Sequence, residues 1–440
     1  MTAFRVTGAT LDPVSGEARF DFVLDGPAPE RFTEVVRFTV PDQGVPADDV
    51  ATAERVLPVL AAALGISYFK AAAPPRFEVA VPGLTAEAVD YLRLLVREGL
   101  AEFAYRAGLP GLLEPEFVAD TVPAAATATA PQGDPLVPIG GGKDSVVTVE
   151  SLVAAGLDPV QFAVNPNRII RRVAEVAGRR LVTATRTIDP RLLELNAAGA
   201  LNGHVPVTAF NSLIAITQAA LLGLGPVVMS NESSASDPTL TWDGKPVNHQ
   251  WSKGLDAERA LIGMLRAQAG LSDAYFSLLR PFSELRIARG FARLTAYDAA
   301  IVSCNRAFRI AGAEPTWCGD CPKCRFVFLA FAPYMEPERL AGIVGADLFA
   351  DAAQTPGFRE LIGLDAHKPF ECVGEEAESS LAVGLVARSD AWLGRPVIAA
   401  LIAEAPELRD GDAALEAQVF GDADAVDLPD PYETARFALV

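Results

Sequence analysis

The chain has few basic residues for its length. Its 440 residues include 37 Lys and Arg against 56 Asp and Glu, which gives a formal net charge of −19. Nucleic acids and anionic membranes attract proteins through a basic surface. The acidic balance therefore argues against either as the main partner, although a local basic pocket can still hold a small anion.

The sequence also lacks long apolar runs and a cysteine framework. No stretch of about 18 apolar residues suggests a membrane span. Residues 1–11 have neither the basic start nor the apolar core of a signal peptide. Only five cysteines occur, three of them clustered, which is unlike the disulfide framework of a secreted protein. We therefore expect a soluble, cytoplasmic protein.

The length and composition indicate several folded regions. Half of the residues are hydrophobic, which is enough for large cores, and the length is typical of roughly two or three domains. Apolar alternation early in the chain predicts half-buried strands, and residues 50–64 are a helix candidate despite Pro58. We expect an N-terminal α+β domain at 1–118, a linker at 119–135, an α/β domain at 136–335 and a mainly helical region at 336–440.

Strand and helix patterns alternate from residue 136 onward. Strands are predicted at 160–164, 181–187 and 227–230, and helices at 168–178 and 210–222. This order predicts an α/β fold with a parallel sheet covered on both faces. Ligands of such sheets sit beyond the carboxyl ends of the strands.

A glycine-rich stretch follows the first of these strands, the apolar run at 136–139. It reads Gly140-Gly141-Gly142-Lys143-Asp144-Ser145 and opens a predicted helix. Glycines let backbone N–H groups aim at one point, and the helix start adds positive partial charge. The pattern predicts an anion site, most plausibly for phosphate. A Walker A loop is excluded because Asp144 stands where Ser or Thr is needed, and a plain glycine turn is the alternative.

Two other polar stretches leave predicted strand ends. They are Asn165-Pro166-Asn167-Arg168 and Ser230-Asn231-Glu232-Ser233-Ser234. Because the carboxyl ends of parallel strands meet at one edge of the sheet, we expect these stretches to converge with the glycine loop around one nucleotide. Asn165, Asn231 and Glu232 are the candidate contacts, and ordinary loop chemistry is the alternative.

The clustered cysteines have the spacing of a metal site. Cys318, Cys321 and Cys324 form a C-x2-C-x2-C pattern, and Cys304 lies upstream. Four thiolates suit a closed, structural, tetrahedral zinc site. An iron–sulfur cluster is the alternative, although the bacterial ferredoxin pattern needs a cysteine where Phe328 stands. Reduced buried thiols are a further alternative.

A predicted loop in the C-terminal region, flanked by helix-breaking residues, contains several chemically reactive side chains. It contains His367, Lys368 and Cys372. Loops often carry function, and the pKa values of imidazole and thiol groups can be tuned near neutrality, although a solvated surface loop is the alternative. The two other histidines, His204 and His249, lie in polar stretches where surface or packing roles are expected.

The Gly-Gly-Lys-Asp-Ser order resembles the PP-loop of the ATP pyrophosphatases, with Gly140 in place of that motif's opening Ser. Members such as the 7-cyano-7-deazaguanine synthases have a similar four-cysteine zinc site in this part of the chain. The resemblance implies cleavage of ATP between its α and β phosphates. It also implies that Lys143 holds phosphates and that Asp144 holds Mg²⁺.

The combined architecture resembles the UDP-N-acetyl-α-D-muramoyl-L-alanyl-L-glutamate epimerases of the MurL type over essentially the full length. The resemblance implies ATP-dependent inversion of the terminal L-Glu of a nucleotide-sugar dipeptide, with release of AMP and pyrophosphate, in peptidoglycan synthesis. ATP, Mg²⁺ and structural Zn²⁺ are the implied cofactors, with neither a nucleic-acid nor a membrane partner. Adenylation would help because the mixed anhydride accepts the charge of the enolate that a base generates.

No sequence motif identifies the residues that carry the proton or those that contact the substrate. Lys143, Asp144, Cys372 and His367 are the catalytic candidates, and Arg168, Arg171, Arg172 and Lys368 are the candidates for holding the anionic substrate. Three alternatives stay open. They are a ligase that uses ammonia or an amine, an enzyme that modifies a deazapurine or transfer RNA, and a nucleotide-binding regulator without turnover.

Overall fold

A computed structural model describes residues 1–308, 316–365, 371 and 373–440. Within these residues the strands are β1 (Ala3–Asp12), β2 (Glu17–Asp25), β3 (Glu30–Arg37), β4 (Arg76–Thr85), β5 (Glu116–Val122), β6 (Leu136–Pro138), β7 (Val160–Val164), β8 (Leu181–Thr187), β9 (Val227–Met229), β10 (Leu240–Trp242), β11 (Lys245–Val247) and β12 (Tyr275–Ser277).

The α-helices within the same residues are α1 (Ala47–Phe69), α2 (Ala86–Arg97), α3 (Ala101–Ala107), α4 (Lys143–Ala154), α5 (Arg168–Ala177), α6 (Pro190–Ala197), α7 (Val207–Leu221), α8 (Leu255–Ala269), α9 (Glu284–Phe291), α10 (Pro322–Phe331), α11 (Pro337–Val344), α12 (Thr355–Leu361), α13 (Glu376–Ala387), α14 (Pro396–Glu404), α15 (Glu407–Asp410), α16 (Ala413–Phe420) and α17 (Tyr432–Arg436).

One large sheet runs through the molecule in the order β12-β9-β6-β7-β8-β3-β2-β1-β4-β5. Its neighbouring strands are parallel except where β8 meets β3, β3 meets β2 and β2 meets β1. Strands β10 and β11 form a separate hairpin. The α/β class and the mostly parallel sheet expected from the sequence are confirmed.

The half of the sheet that contains β6 is doubly wound. Numbered by chain position, its order β8-β7-β6-β9-β12 is 3-2-1-4-5, so the direction of winding reverses between β6 and β9. Doubly wound sheets bind ligands outside the carboxyl ends of the strands at such a reversal. The loops that follow β6 and β9 are therefore the ones that flank the expected crevice.

The local predictions in this half agree with the structure. The strands predicted at 160–164 and 181–187 are β7 and β8, and the helices predicted at 168–178 and 210–222 correspond to α5 and α7. Elsewhere β5 runs to Val122, past the boundary predicted at 118, while the domain division as a whole stays a prediction.

Helix α1 is longer than the prediction of 50–64 and continues through Pro58. Every residue from Val56 to Phe69 is buried, so tertiary packing outweighs the cost of the proline. Among the described residues α1 is also the helix long and apolar enough to cross a membrane, but 72% of that apolar window is buried inside the protein. It is a core helix, and it packs on α7 from the other half of the sheet.

A buried ion pair lies at the seam where β3 pairs with β8. Arg186 Nε donates to Glu34 Oε1 at 2.6 Å, and the Tyr68 hydroxyl donates to Glu34 Oε2 at 2.8 Å. Glu34 is fully buried. Burial and the charge of Glu34 raise the pKa of Tyr68, which keeps that hydroxyl protonated as a donor. The seam is thus held by a charged network around a carboxylate that has no access to water as a substitute partner.

We expect Glu34→Ala to lower the free energy of unfolding by about 3–5 kcal/mol, because it leaves the Arg186 guanidinium buried without its carboxylate. The matched control is Glu194→Ala, which removes an exposed partner of Arg191 and is expected to leave the unfolding midpoint nearly unchanged. Urea unfolding followed by circular dichroism measures both. Equal unfolding midpoints for the two variants would contradict the importance of this seam.

Candidate functional site

The glycine loop lies between β6 and α4, at the reversal of the sheet. Gly141 has φ of +83°, and a Cβ built there would lie 2.7 Å from Ile169 Cγ2. Both the left-handed backbone and the lack of space require glycine at this position. Gly142 is the N-cap of α4, and no side chain caps this helix start. The first N–H groups of α4 therefore remain available to an anion.

The loop forms one wall of a cleft of about 350 Å³. This volume is at the small end of the range for small-molecule sites. The cleft brings together the loops after β6 and β9 that the sequence singled out. Its lining includes Gly140, Gly142, Asp144, Ser145, Asn231 and Glu232, together with Thr208, Asn211, Gln250, Lys253, Glu284, Ser303, Asn305 and Lys323.

Lys143 turns away from the cleft and into the protein. It is 1% exposed, and its ammonium group contacts the carboxylates of Asp144 and Glu284. Burial by itself lowers the pKa of Lys143, but the two carboxylate charges outweigh burial and raise it above its ordinary value. Lys143 is therefore a fixed positive charge beneath the glycine loop.

Glu284 and Lys323 are two site residues that the sequence analysis missed. Lys323 Nζ donates to Glu284 Oε1 at 3.2 Å, and both residues line the cleft. Burial raises the pKa of Glu284, but Lys143 and Lys323 lower it overall, so the carboxylate is ionised. The position of Lys323 between two of the clustered cysteines was the one sequence feature that could have identified it. No local sequence pattern could have identified Glu284, because it lies 141 residues from Lys143 in the chain.

Three carboxylates meet at the cleft: Asp144, Glu232 and Glu284. Burial, and after it the charge of Glu284, raises the pKa of Glu232, and Asp144 adds to this effect. Carboxylate oxygens that repel one another in this way are the ligands a hard divalent cation prefers. The donor set therefore fits Mg²⁺.

A buried arginine supports the backbone of the loop after β9. Arg280 donates to the backbone oxygen of Glu232 at 2.6 Å and to the carboxylate of Glu258. Asn231 Nδ2 donates to Ser277 Oγ at 3.0 Å. These bonds fix the backbone on which Asn231 and Glu232 reach the cleft.

The loop after β7 does not reach the cleft lining. The Asn165 side chain bonds the backbone of Arg186 at both its nitrogen and its oxygen, which ties β7 to β8. Arg172 donates to the carbonyl oxygen of Ala300. Arg168 and Arg171 are exposed at the start of α5 and are not among the residues that line the cleft.

Three of the predicted residues cannot be placed. His367, Lys368 and Cys372 lie outside the described residues. The roles predicted for them stay predictions.

The four clustered cysteines converge on one point. Their sulfur atoms all lie within 4.8 Å of one another, with Cys304 Sγ 4.0 Å from Cys321 Sγ and Cys318 Sγ 3.8 Å from Cys324 Sγ. A tetrahedral ion with metal–sulfur bonds of about 2.3 Å requires sulfur–sulfur distances of about 3.8 Å. The backbone N–H groups of Asp320 and Cys324 point at two of these sulfurs. The cluster therefore fits a single tetrahedral metal ion.

The cysteine cluster is packed directly behind the glycine loop. Val302, two residues before Cys304, donates its backbone N–H to Gly141 O at 3.1 Å. Ile169, which limits the space at Gly141, belongs to the same small apolar cluster as Cys304 and Cys324. Lys323 lies between two cluster cysteines and reaches Glu284. The cluster thus sets the position of the loop and of one cleft cation.

Comparisons with known proteins cover almost the whole chain. The MurL N-terminal domain matches residues 1–278, and the MurL C-terminal domain matches residues 300–416. A protein of Micromonospora sp. named UDP-N-acetyl-alpha-D-muramoyl-L-alanyl-L-glutamate epimerase is 51% identical over 438 residues, covering 99% of this chain and 98% of the relative.

Two other relatives carry the same name. The protein of Salinispora tropica is 52% identical over 92% of this chain and 90% of its own length. The protein of Xanthomonas oryzae pv. oryzae is 40% identical over 94% of this chain and 93% of its own length. Because both family models match and the relatives are 40–52% identical over nearly their full length, the chain belongs to the MurL family of UDP-N-acetyl-alpha-D-muramoyl-L-alanyl-L-glutamate epimerases.

Proposed function

We propose that this protein uses ATP to invert the terminal L-Glu of UDP-N-acetylmuramoyl-L-alanyl-L-glutamate to D-Glu, as a step in the synthesis of peptidoglycan precursors. The near full-length similarity to proteins named as epimerases of this substrate carries the proposal. The cleft beside the glycine loop supports the use of a nucleotide. The same similarity favours epimerisation over ligation or modification of a nucleobase.

The glycine loop is proposed to be a PP-loop that holds the pyrophosphate part of ATP. A substrate carboxylate oxygen would attack the α-phosphorus, the bond from that phosphorus to the pyrophosphate oxygen would break, and an acyl-adenylate would form. The N–H groups of Gly142 and the first turn of α4 lie where they can stabilise departing negative charge. Lys143 supplies positive charge from beneath this loop.

Asp144 and Glu232 are the residues that would hold Mg²⁺. The bound ion would neutralise phosphate charge during adenylation. Lys143 contacts one Asp144 oxygen and so orients that carboxylate. Glu284 forms ion pairs with both Lys143 and Lys323. Lys323 and Lys253 line the same cleft and are further cations for an anionic substrate. The substrate contacts predicted at Arg168, Arg171 and Arg172 remain part of the proposal.

The four-cysteine cluster is proposed to bind zinc in a structural role. The four sulfurs would fill all four positions of a tetrahedral ion and leave none open to substrate. Bound zinc would supply rigidity behind the glycine loop. The residues themselves transmit this rigidity, through the bond from Val302 to Gly141 and through Lys323.

Asp144→Ala is expected to reduce substrate-dependent AMP formation by about 10²-fold or more, because several kcal/mol of charge stabilisation at the phosphates are lost. The control is Asp158→Ala, which removes an exposed partner of Arg179 near the end of the same strand–helix unit and is expected to retain activity. Production of AMP is measured by chromatography. Normal AMP production by folded Asp144→Ala protein would reject the proposed loop function.

One zinc ion per chain is expected by elemental analysis. Cys321→Ser is expected to lose the zinc and to lower the thermal midpoint, because metal-binding free energy contributes directly to folding. Stoichiometric iron with visible absorption would instead indicate an iron–sulfur cluster. A metal-free protein with an unchanged midpoint would reject a metal site altogether.

Deuterium labelling tests the reaction itself. With substrate and Mg-ATP in D₂O, the D-Glu product is expected to carry one deuterium at the glutamyl α-carbon. Leaving out ATP, or blocking its α–β linkage, should prevent both inversion and labelling, whereas blocking only the β–γ linkage should permit them. Turnover of ATP to AMP with unlabelled L-Glu would reject the epimerase function, and consumption of an amine would favour a ligase.

A further inference from the structure

Two histidines that the sequence analysis assigned to surface or packing roles meet at a buried carboxylate. Glu102 on α3 is 5% exposed and its Oε2 atom contacts His249 Nδ1. His204 Nδ1 lies 3.6 Å from the same oxygen, and the two imidazole rings are 4.8 Å apart. These residues come from three separate parts of the chain, since 147 positions separate Glu102 from His249.

The cluster lies beside the cleft, close in the chain to residues that line it. Gln250, the neighbour of His249, lines the cleft, as do Thr208 and Asn211 a short distance after His204. Glu371 accepts hydrogen bonds from the Asn305 side chain and from the backbone N–H of Lys323, and both of these residues line the cleft. Burial raises the pKa of Glu371, while the charge of His249 acts on it in the opposite direction. About 20% of the His249 side chain is exposed, next in the chain to the cleft-lining Gln250.

The contacts decide the protonation of His249. Burial raises the pKa of Glu102, but His249, His204 and Arg106 together lower it below its ordinary value, so the carboxylate is ionised. An ionised carboxylate can only accept hydrogen bonds. The Nδ1 atom of His249 must therefore donate, which places the lone pair of the neutral ring on Nε2.

The contacts also decide between the two histidines. Burial, followed by the charge of His249, lowers the pKa of His204 to about 4, so His204 is uncharged at neutral pH. Its Nδ1 atom is outside hydrogen-bonding distance of Glu102. Of the two rings, His249 is the one whose positive charge Glu102 can stabilise directly.

The same three side chains could hold a divalent cation, since their ligand atoms lie within 4.8 Å of one another. The surroundings argue against it. Arg106 Nε donates to Glu102 Oε1 at 2.6 Å, and the charge of Lys253 acts on His204. A metal ion would have to displace or repel these two cations.

We propose that His249, oriented by Glu102, is the base that removes the glutamyl α-proton in the reaction proposed above. His249 Nε2 takes the proton, the electrons of the C–H bond form the carbon–carbon double bond of the enolate, and the carbonyl electrons move to oxygen. Glu102 stabilises the resulting imidazolium. A proton from water, delivered on the opposite face, forms the new C–H bond, and the imidazolium later returns its proton to solvent.

The inference rests on the proposed function, and the experiment separates the two. His249→Asn keeps an amide donor for Glu102 but has no base. Its substrate-dependent exchange of pyrophosphate into ATP should stay within a few-fold of wild type, while deuterium incorporation from D₂O falls by about 10²-fold or more. Retained exchange shows that the variant is folded and still activates the carboxylate. Glu114→Gln, on the exposed partner of Lys245, is the control that should change neither.

Glu102→Gln tests positioning through pH. Glu102 and His204 lie directly beside His249, Arg106 bonds Glu102, the charge of Lys253 acts on His204, and the charge of His249 acts on Glu371. Removal of the Glu102 charge should lower the pKa of His249, so the acid limb of the kcat/KM profile should move to lower pH as the rate falls. A purely structural role would lower the rate without moving that limb.

Several results would overturn the assignment. Wild-type labelling by His249→Asn would reject His249, as would loss of labelling in His204→Asn alone. A second stoichiometric metal that is lost from His249→Asn protein would show a metal site in place of the base. If the wild type itself shows no ATP-dependent labelling, the proposed function fails and the base fails with it.

Discussion

The antiparallel pairing of β3 with β8 is the contact on which the architecture depends. It makes one sheet from two groups of strands, and it places the buried Glu34 and Arg186 at the seam. Because the fully buried Glu34 carboxylate cannot exchange Arg186 for water, the register at the seam is strongly specified. The core formed by α1 and α7 closes over the same seam. Strand β8 is thereby held beside β7, and the reversal between β6 and β9 remains at the centre of the doubly wound half.

The glycine loop at that reversal is supported by chemistry from a distant part of the chain. Val302, two residues before Cys304, donates its N–H to the loop backbone, and Ile169 fills the space beside Gly141. Lys323 comes from within the cysteine stretch and enters the cleft. A metal ion held by the four cysteines would therefore be coupled to the shape of the cleft, because these cysteines and cleft residues such as Lys323 are neighbours on one short segment.

Charge in the site is arranged differently from charge on the whole protein. The chain carries a net charge of −19, yet Lys253, Lys323 and the start of α4 line one cleft, and Lys143 is buried beneath the glycine loop beside it. Lys143 is paired with Asp144 and Glu284, and Lys323 is paired with Glu284, so these charges do not form an exposed basic surface. Such an arrangement lets an acidic protein hold a small polyanion while its surface repels nucleic acids and anionic membranes.

The sequence by itself determined the features that local pattern controls. The alternating strands and helices of the central region, the glycine loop at a helix start and the cysteine spacing are set by residues close together in the chain, where periodicity and spacing act directly. Asp144, Asn231 and Glu232 reached the cleft as expected because parallel strands bring their carboxyl ends to one edge. Only the tertiary structure decided the rest. It turned Lys143 inward, kept Asn165 out of the cleft, and brought Glu284 to Lys143 and His249 to Glu102. The last two pairs join residues more than a hundred positions apart, and their meeting depends on how helices pack over the sheet, which no local period encodes.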